Sequence, residues 1–319
     1  MLTMLFRRAV YAVPLLLAVP IVLFFLLRAA PGSPVDSIIG EFPVPDEYRQ
    51  QLEALYGLDR PLGEQLWTYF LRAITFDFGY SYANGSDVAD LVWSRLGGTL
   101  ILVVPALLIS SALGLLFGLM AGFSRSRRTD DVISTSVLIS LALPSFWVAQ
   151  MLVIMFSIQL GWFPNSGMQS MRGADAGSVS DVLWHLVLPL AALVIIEFGA
   201  VARVTRASTL EVIGLDYVTT AQMKGLTQRQ IGIRHVLRNA SLPAITVIGG
   251  RFGRAIAGSI LIETVFNWPG MGSLLYRSIG QRENQVLLAI VMVIAISVVA
   301  ANLITDLVYS VADPRIRNA

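Results

Sequence analysis

The stretch Asp216-Tyr217-Val218-Thr219-Thr220-Ala221-Gln222-Met223-Lys224-Gly225-Leu226-Thr227-Gln228-Arg229-Gln230 is the centre of a polar interruption, residues 203–242, between two long apolar runs. Read locally it is helix, turn, helix. Asp216 has the short acceptor side chain of an N-cap, residues 219–224 are compatible with helix, and Gly225 stands where a helix ends in left-handed backbone. Thr227, followed three residues later by Gln230, is a capping-box pattern. It starts a second helix that is expected to run to about Asn239 before Pro243 opens the next apolar run. Thr219, Thr220 and Ala221 put small side chains on the first helix, so a partner's backbone can approach it closely. The second helix places Ile233, Val236, Leu237 and Ala240 on one stripe and leaves Arg229, Arg234 and Arg238 off it. A polar, capped element in an otherwise lipid-compatible chain reads as a docking surface for something soluble.

The rest of the chain is built for lipid. Its 319 residues are 55% hydrophobic and 14% charged, with a mean hydropathy of +0.69, which is the composition of an integral membrane protein. Cysteine is absent, which removes disulfides, thiol catalysis and the usual zinc sites. The two histidines, His185 and His235, have no acidic clustering around them, so no metal site is expected. Lys224 is the one lysine, and Gln222-Met223 precedes it where a phosphate loop needs glycine, so ATP cannot be bound here in that way. A pI near 9.0 would suit nucleic acid only if the basic residues were pooled on one patch. They are sorted by side of the membrane instead, and no nucleic acid is expected as a partner.

Apolar runs at residues 9–27, 99–123, 132–160, 183–202, 244–262 and 286–308 are each long enough to cross about 30 Å of hydrocarbon at about 1.5 Å per residue. The first follows Arg7-Arg8 and is too long for a signal peptide, so it is expected to remain as the first of six transmembrane helices. With the N-terminus in the cytoplasm, the inner segments carry thirteen basic and five acidic residues, and the outer segments eight basic and thirteen acidic. That bias fixes both termini and residues 203–242 on the cytoplasmic side. Residues 31–98 are too polar to span. They read as a small extracytoplasmic helical insertion, with helices at 46–56 and 61–74 and a third at 87–95 capped by Ser86. A shorter outer piece runs from Asn267-Trp268-Pro269-Gly270-Met271-Gly272 into a helix at 273–279.

Ionisable side chains inside the runs are few. Glu197, Arg251, Arg254 and Asp306 are among them, and a charge at the centre of a lipid-facing helix costs about 2.5 to 3.5 kcal/mol on the insertion scale. They therefore face protein or water. Arg251 and Arg254, three positions apart, share a face with Gly258 and are candidates to line a translocation path, with Glu197. Equally, they pair structurally with Glu197, Glu263 or another subunit.

The polar stretch resembles the EAA loop of ABC importer permeases, whose pattern is Glu-Ala-Ala, three residues, Gly, then nine residues to Ile-x-Leu-Pro. Thr219-Thr220-Ala221 and Gly225 match its first part and His235-Val236-Leu237-Arg238 its second. Thr219 stands for the glutamate and Arg238 for the proline, substitutions similar to those of the dipeptide/oligopeptide/nickel branch. The resemblance continues in order through Pro31-Gly32-Ser33-Pro34, Tyr56-Gly57-Leu58-Asp59-Arg60-Pro61, Asp77-Phe78-Gly79-Tyr80-Ser81, Leu143-Pro144-Ser145-Phe146-Trp147, Phe266-Asn267-Trp268-Pro269-Gly270-Met271-Gly272 and Asp313-Pro314-Arg315. It is to the first permease subunit of peptide importers, and it implies the all-α type I importer fold in a bacterial plasma (inner) membrane. It also implies a second homologous permease, two ATP-binding subunits that hold ATP and Mg, and an extracytoplasmic substrate-binding protein. By the same resemblance, Asp216, Tyr217, Thr219, Thr220, Ala221, Lys224, Gly225 and Leu226 couple the chain to its ATPases. The implied cargo is a di- or oligopeptide, with nickel complexes, glutathione or murein peptides as alternatives within the family.

Two other classes make different demands. An ion-coupled secondary transporter predicts inverted repeats and broken helices with paired midplane carboxylates. Neither the repeat nor the pair is present in the sequence. A membrane enzyme needs a nucleophile or metal constellation that this residue inventory does not supply, so no catalytic residue and no resident cofactor are expected.

Overall fold

The computed structural model describes residues 2–31, 35, 39, 44–55, 57–81, 83–124, 126–173 and 175–312. Gly32-Ser33-Pro34, Tyr56 and Asp313-Pro314-Arg315, singled out above, lie outside the described residues. The described chain is mostly helical and divides into two compact units.

One unit is formed by Leu2–Gly98 and Gly270–Val299. It holds α1 (Leu2–Ala29), α2 (Asp46–Leu55) and α3 (Leu62–Thr75), then a two-stranded antiparallel hairpin of β1 (Tyr80–Ser81) and β2 (Ser86–Asp87). The first turns of α4 (Val88–Phe123), then α11 (Met271–Gln281) and much of α12 (Asn284–Ala312) complete it. Pro61 opens α3 and Gly57, at φ +65°, follows α2, as the sequence predicts. Ser86 does not cap a separate helix. It pairs with Ser81 in the hairpin, and the Asp87 carboxylate accepts from the Ala89 N–H at 2.8 Å where α4 begins. With no proline between Val88 and the apolar run, α4 continues straight into it as one 36-residue helix. The unit's core gathers Ala73, Phe78, Val88, Met271, Leu274 and Val286. The hairpin is tied down by Glu283, whose carboxylate accepts from the Ser81 hydroxyl at 2.8 and 2.9 Å, the Ala83 N–H at 3.1 Å and the Asn84 amide at 3.1 Å. Burial of Tyr69 against this core pushes its phenol well above the usual range.

The other unit is formed by Thr99–Pro269 with residues 300–312. It contains the rest of α4, then α5 (Arg127–Ala142), α6 (Ser145–Leu152) extended by a π-helical segment (Val153–Gln159), and α7 (Val179–Ile213). After α8 (Asp216–Met223) and α9 (Gln228–Ile231), a π-helical turn (Gly232–Val236) leads into α10 (Leu237–Val265). The apolar run 132–160 is not one straight helix: α5 and α6 meet at 106°. Pro144 has no N–H and forces Leu143 out of helical backbone, to φ −78° and ψ 133°. Pro243, by contrast, does not open a new helix. It lies inside α10, as prolines are tolerated where neighbouring helices in a membrane re-satisfy the freed backbone group.

Four helices, α1, α4, α7 and α12, are each long and apolar enough to cross a membrane, and two bent pairs, Arg127–Ala142 with Ser145–Gln159 and Gln228–Ile256 with Ser259–Val265, raise this to six if each is one span. Several close helix contacts are made through glycine. A Cβ placed on Gly114, Gly118 or Gly122 of α4 would stand 2.6, 2.5 and 2.5 Å from Val201 Cβ, Thr205 Cβ and Thr209 Cγ2 of α7. Gly199 of α7 meets Ser140 of α5 in the same way, at 2.5 Å from its Oγ. Such backbone proximity is how helices associate where lipid removes the hydrophobic drive.

Candidate functional site: the α8–α9 element and the buried α7–α10 pair

The residues of α8 and α9 fold onto the end of α7. Val212, Val218, Ala221, Ile231, Val236 and Ala240 form a buried cluster, with Leu226, Ile213, Leu119 and Phe123 packed against it. Gly225 takes φ +78°, the left-handed conformation that ends α8, and its N–H donates to Gln222 O at 2.9 Å. The Thr227–Gln230 capping box is formed, with the Thr227 N–H donating to Gln230 Oε1 at 2.9 Å and the Gln230 N–H to Thr227 Oγ1 at 3.4 Å. Local rules therefore place both ends of the turn.

Three details differ from the sequence reading. Asp216 is the first residue of α8 rather than its cap, and Leu215 occupies the cap position without a side-chain bond. Its carboxylate in the first turn still favours the positive end of the helix. Ala221 faces inward at 4% exposure, leaving Thr219 and Thr220 as the small outward side chains, with Met223, Lys224 and Gly225 exposed beside them. Ile233 is 56% exposed because the π-helical turn inserts one residue, so the buried stripe runs Ile231, Val236, Ala240 at spacings of five and four. Arg229, Arg234 and Arg238 are exposed. Ile233 also lines, with Leu116, Leu119, Met120, Phe123 and Leu237, an apolar cavity of about 480 Å³ beside the element.

Tyr217 fastens α8 to the second helix. Its hydroxyl accepts from the Asn239 amide at 2.6 Å and donates to His235 O at 3.3 Å, and its ring lies 6.4 Å from the His235 ring. Asn239 was not identified from sequence, where only its helical position was legible. The Thr220 hydroxyl donates to Asp216 O at 2.9 Å, within α8. On the same side of α7, Arg206 donates bidentately to Asp130 of α5, from Nε at 2.7 Å and from a terminal nitrogen at 2.6 Å.

Deeper along α7 and α10, Arg251 Nε donates to Glu197 Oε2 at 2.5 Å, with the two residues only 9% and 4% exposed. The structure thus brings together two of the three candidate path residues. Arg254 is not with them; it lies exposed on α10. Glu263, fully buried on α10, accepts from the Thr99 hydroxyl at 2.8 Å and the Ser259 hydroxyl at 3.2 Å.

Comparison with known proteins assigns this geometry to a family. Residues 114–318 match the family described as binding-protein-dependent transport system inner membrane component, and residues 1–103 match the N-terminal region of such membrane components. A Brucella ovis protein named as a peptide permease is 36% identical over 98% of both chains. The oligopeptide transport system permease protein AppB of Bacillus subtilis is 33% identical over 97% of this chain and 98% of its own. The glutathione transport system permease protein GsiC of Escherichia coli is also 33% identical, over 99% of both. Among solved structures, the MetNI methionine ABC transporter in inward-facing conformations aligns over 73% of this chain and 100% of its own, at 15% identity and a TM-score of 0.56. An amino acid ABC transporter aligns over 69% and 94%, at 18% identity and a TM-score of 0.51. The helical order, the polar element between α7 and α10 and these matches over the chain's full length agree: this chain belongs to the binding-protein-dependent transport system inner membrane components, the permease components of ABC importers.

Proposed function

We propose that the chain forms half of the translocation path of an ATP-driven importer of di- or oligopeptides, with a second, unlike permease supplying the other half. In this reading it crosses the membrane six times, each bent pair counting once, and both termini lie in the cytoplasm. Two ATP-binding subunits press on α8 and the Gly225 turn, and an extracytoplasmic binding protein delivers cargo from the other side. ATP and Mg are held by those subunits, not by this chain. The observation that carries the proposal is the α8–α9 element itself. Its inner face is packed into α7 and α10, while Thr219, Thr220, Met223, Lys224 and Gly225 are presented outward. A surface held this rigidly transmits a push instead of absorbing it. The names of the peptide and oligopeptide relatives support the cargo. The glutathione permease, at the same identity as AppB, keeps a small γ-linked peptide as the second reading.

For the path, Arg254 is the residue of choice, because it is exposed on α10 while Arg251 is neutralised by Glu197. Arg251 and Glu197 then serve as a brace between α7 and α10.

The test is ATP hydrolysis by the reconstituted complex with and without loaded binding protein. No atom of this chain lies within 4 Å of a Cβ added at Gly225, so within the chain a substitution there acts through backbone conformation. Left-handed backbone costs a non-glycine residue about 1–2 kcal/mol, less for asparagine and more for a β-branched side chain. Gly225→Val should uncouple hydrolysis from cargo and reduce uptake, and Gly225→Asn should keep both. Normal stimulation and uptake in Gly225→Val would remove the turn from the coupling path.

A further inference from the structure

We infer that α3, running antiparallel to α1, lays an apolar stripe into the outer half of the lipid bilayer beside it. The inference concerns a surface on which the importer reading places no function, and it starts from the wheel of α3. Tyr69 and Ala73 form one sector and belong to the buried core cluster, where Val19 and Leu23 of α1 also pack. Glu64, Thr68, Arg72 and Thr75 form a polar sector. Between the two, at positions i, i+4, i+7 and i+11, run Gly63, Trp67, Phe70 and Ile74. Trp67 is 60% and Ile74 43% exposed, and the Phe70 ring stacks on that of Trp67 with centroids 6.1 Å apart. A soluble cap has no use for an open tryptophan and isoleucine stripe adjoining a polar one.

Its neighbour says what covers it. Arg28 of α1 donates to Gln65 Oε1 at 3.1 Å, and four residues back along α1 the Phe24 ring lies 5.6 Å from that of Tyr69, four residues on along α3. The two helices therefore run antiparallel at this contact. Tyr69 stands level with Phe24, five residues inside the end of α1, or about 7.5 Å down its axis. By the same register Ile74 stands level with Val19, about 15 Å down the axis from the end of α1, so the stripe runs along the outer half of a span of about 30 Å. The α1 segment Val10–Ala29 is itself a span, and it presents Val22, Phe25 and Leu26 outward near the same level. The stripe on α3 thus adjoins a surface that faces acyl chains, and its one large amphipathic ring, Trp67, is of the kind enriched at membrane–water boundaries.

Because the chain has no cysteine, spin labels can be placed singly on Trp67→Cys and Ile74→Cys, with Glu64→Cys as the reference on the polar sector. The full chain, assembled with its partner subunits, is reconstituted in nanodiscs of phosphatidylethanolamine and phosphatidylglycerol. Collision rates are then measured with oxygen, which concentrates in lipid, and with a water-soluble nickel chelate. Labels at 67 and 74 should favour oxygen over nickel several-fold more than the label at 64. Nickel-dominated collisions at 67 and 74 would mean that the stripe faces water. Low collision rates with both reagents would mean that a protein subunit covers it. Either result overturns the assignment, and neither bears on the coupling role of α8. All three substituted side chains are exposed, so the labelled chains should fold, and assembly on a sizing column checks this before measurement.

Discussion

Replacing Arg251 by Met tests whether the α7–α10 pair is a brace. The side chain is removed at nearly constant length, and Glu197, 4% exposed, is left without the guanidinium that lies 2.5 Å away. Removing one partner of a buried ion pair typically costs about 3–5 kcal/mol, most of it from the uncompensated charge left behind. The lower end of that range, about 3 kcal/mol, is the working value. For a chain of this size such a loss lowers a thermal midpoint by roughly 6–12 °C, taking about 2–4 °C per kcal/mol. The double replacement Arg251→Met with Glu197→Leu strands nothing and should recover most of the midpoint. A double-mutant cycle on the purified complex, read by the fraction surviving graded heating, gives the coupling directly. Uptake is measured alongside. A double variant that is stable and transports normally shows a brace and nothing more, whereas one that is stable but transports poorly returns the pair to the path. If Arg251→Met melts with the parent and the double variant gains nothing, the burial argument is wrong.

Two further outcomes follow. Single cysteines at Met171, fully exposed before α7, and at Met223, 84% exposed on α8, should be labelled by an impermeant thiol reagent from opposite sides of intact cells, Met171→Cys from outside and Met223→Cys only after lysis; reversal of the pair would show that the 106° bend between α5 and α6 makes a re-entrant loop, not a span. Gly118→Val introduces atoms where a Cβ alone already lies 2.5 Å from Thr205 Cβ and 2.7 Å from Ala202 O, so it should prevent stable assembly of the chain, as judged by membrane yield and sizing profile, while Gly97→Val, with open space at its Cβ, should not.

What the sequence revealed depended on how local the rule was. Hydropathy located every apolar run because burial in lipid is a sum over neighbours in sequence. The turn at Gly225 and the Thr227–Gln230 box were equally legible, since caps are satisfied within four residues. The π-helical turn at Gly232–Val236 was not, because adding one residue to a turn leaves the composition unchanged and only shifts which side chains point inward. Ile233 was misplaced for that reason. The choice for Arg251 between path and pair rested on a residue 54 positions away, beyond the reach of any periodicity. Gly114, Gly118 and Gly122 carried a readable signal, glycine at every fourth position of an apolar run, that the sequence reading passed over.

These pieces bear on how a push on α8 would travel. α7 is a single helix of 35 residues, about 50 Å long, whose last turn enters the cluster beneath α8 and whose middle holds Glu197 against α10. α10 is itself continuous with the π turn and α9, so both ends of the α8–α9 element are anchored in long helices that are pinned to each other. A load on Thr219 and Thr220 would therefore move α7, α8, α9 and α10 together. The seam along which such a block could slide is the one where α7 meets α4, because glycines at 114, 118 and 122 present backbone there and offer no side chain to interlock. The bidentate Arg206–Asp130 pair is a polar clasp between α7 and α5, and a shift of α7 against α5 would have to stretch it. That contact, more than any in the span, is where two arrangements of the importer would differ by a bond made or broken.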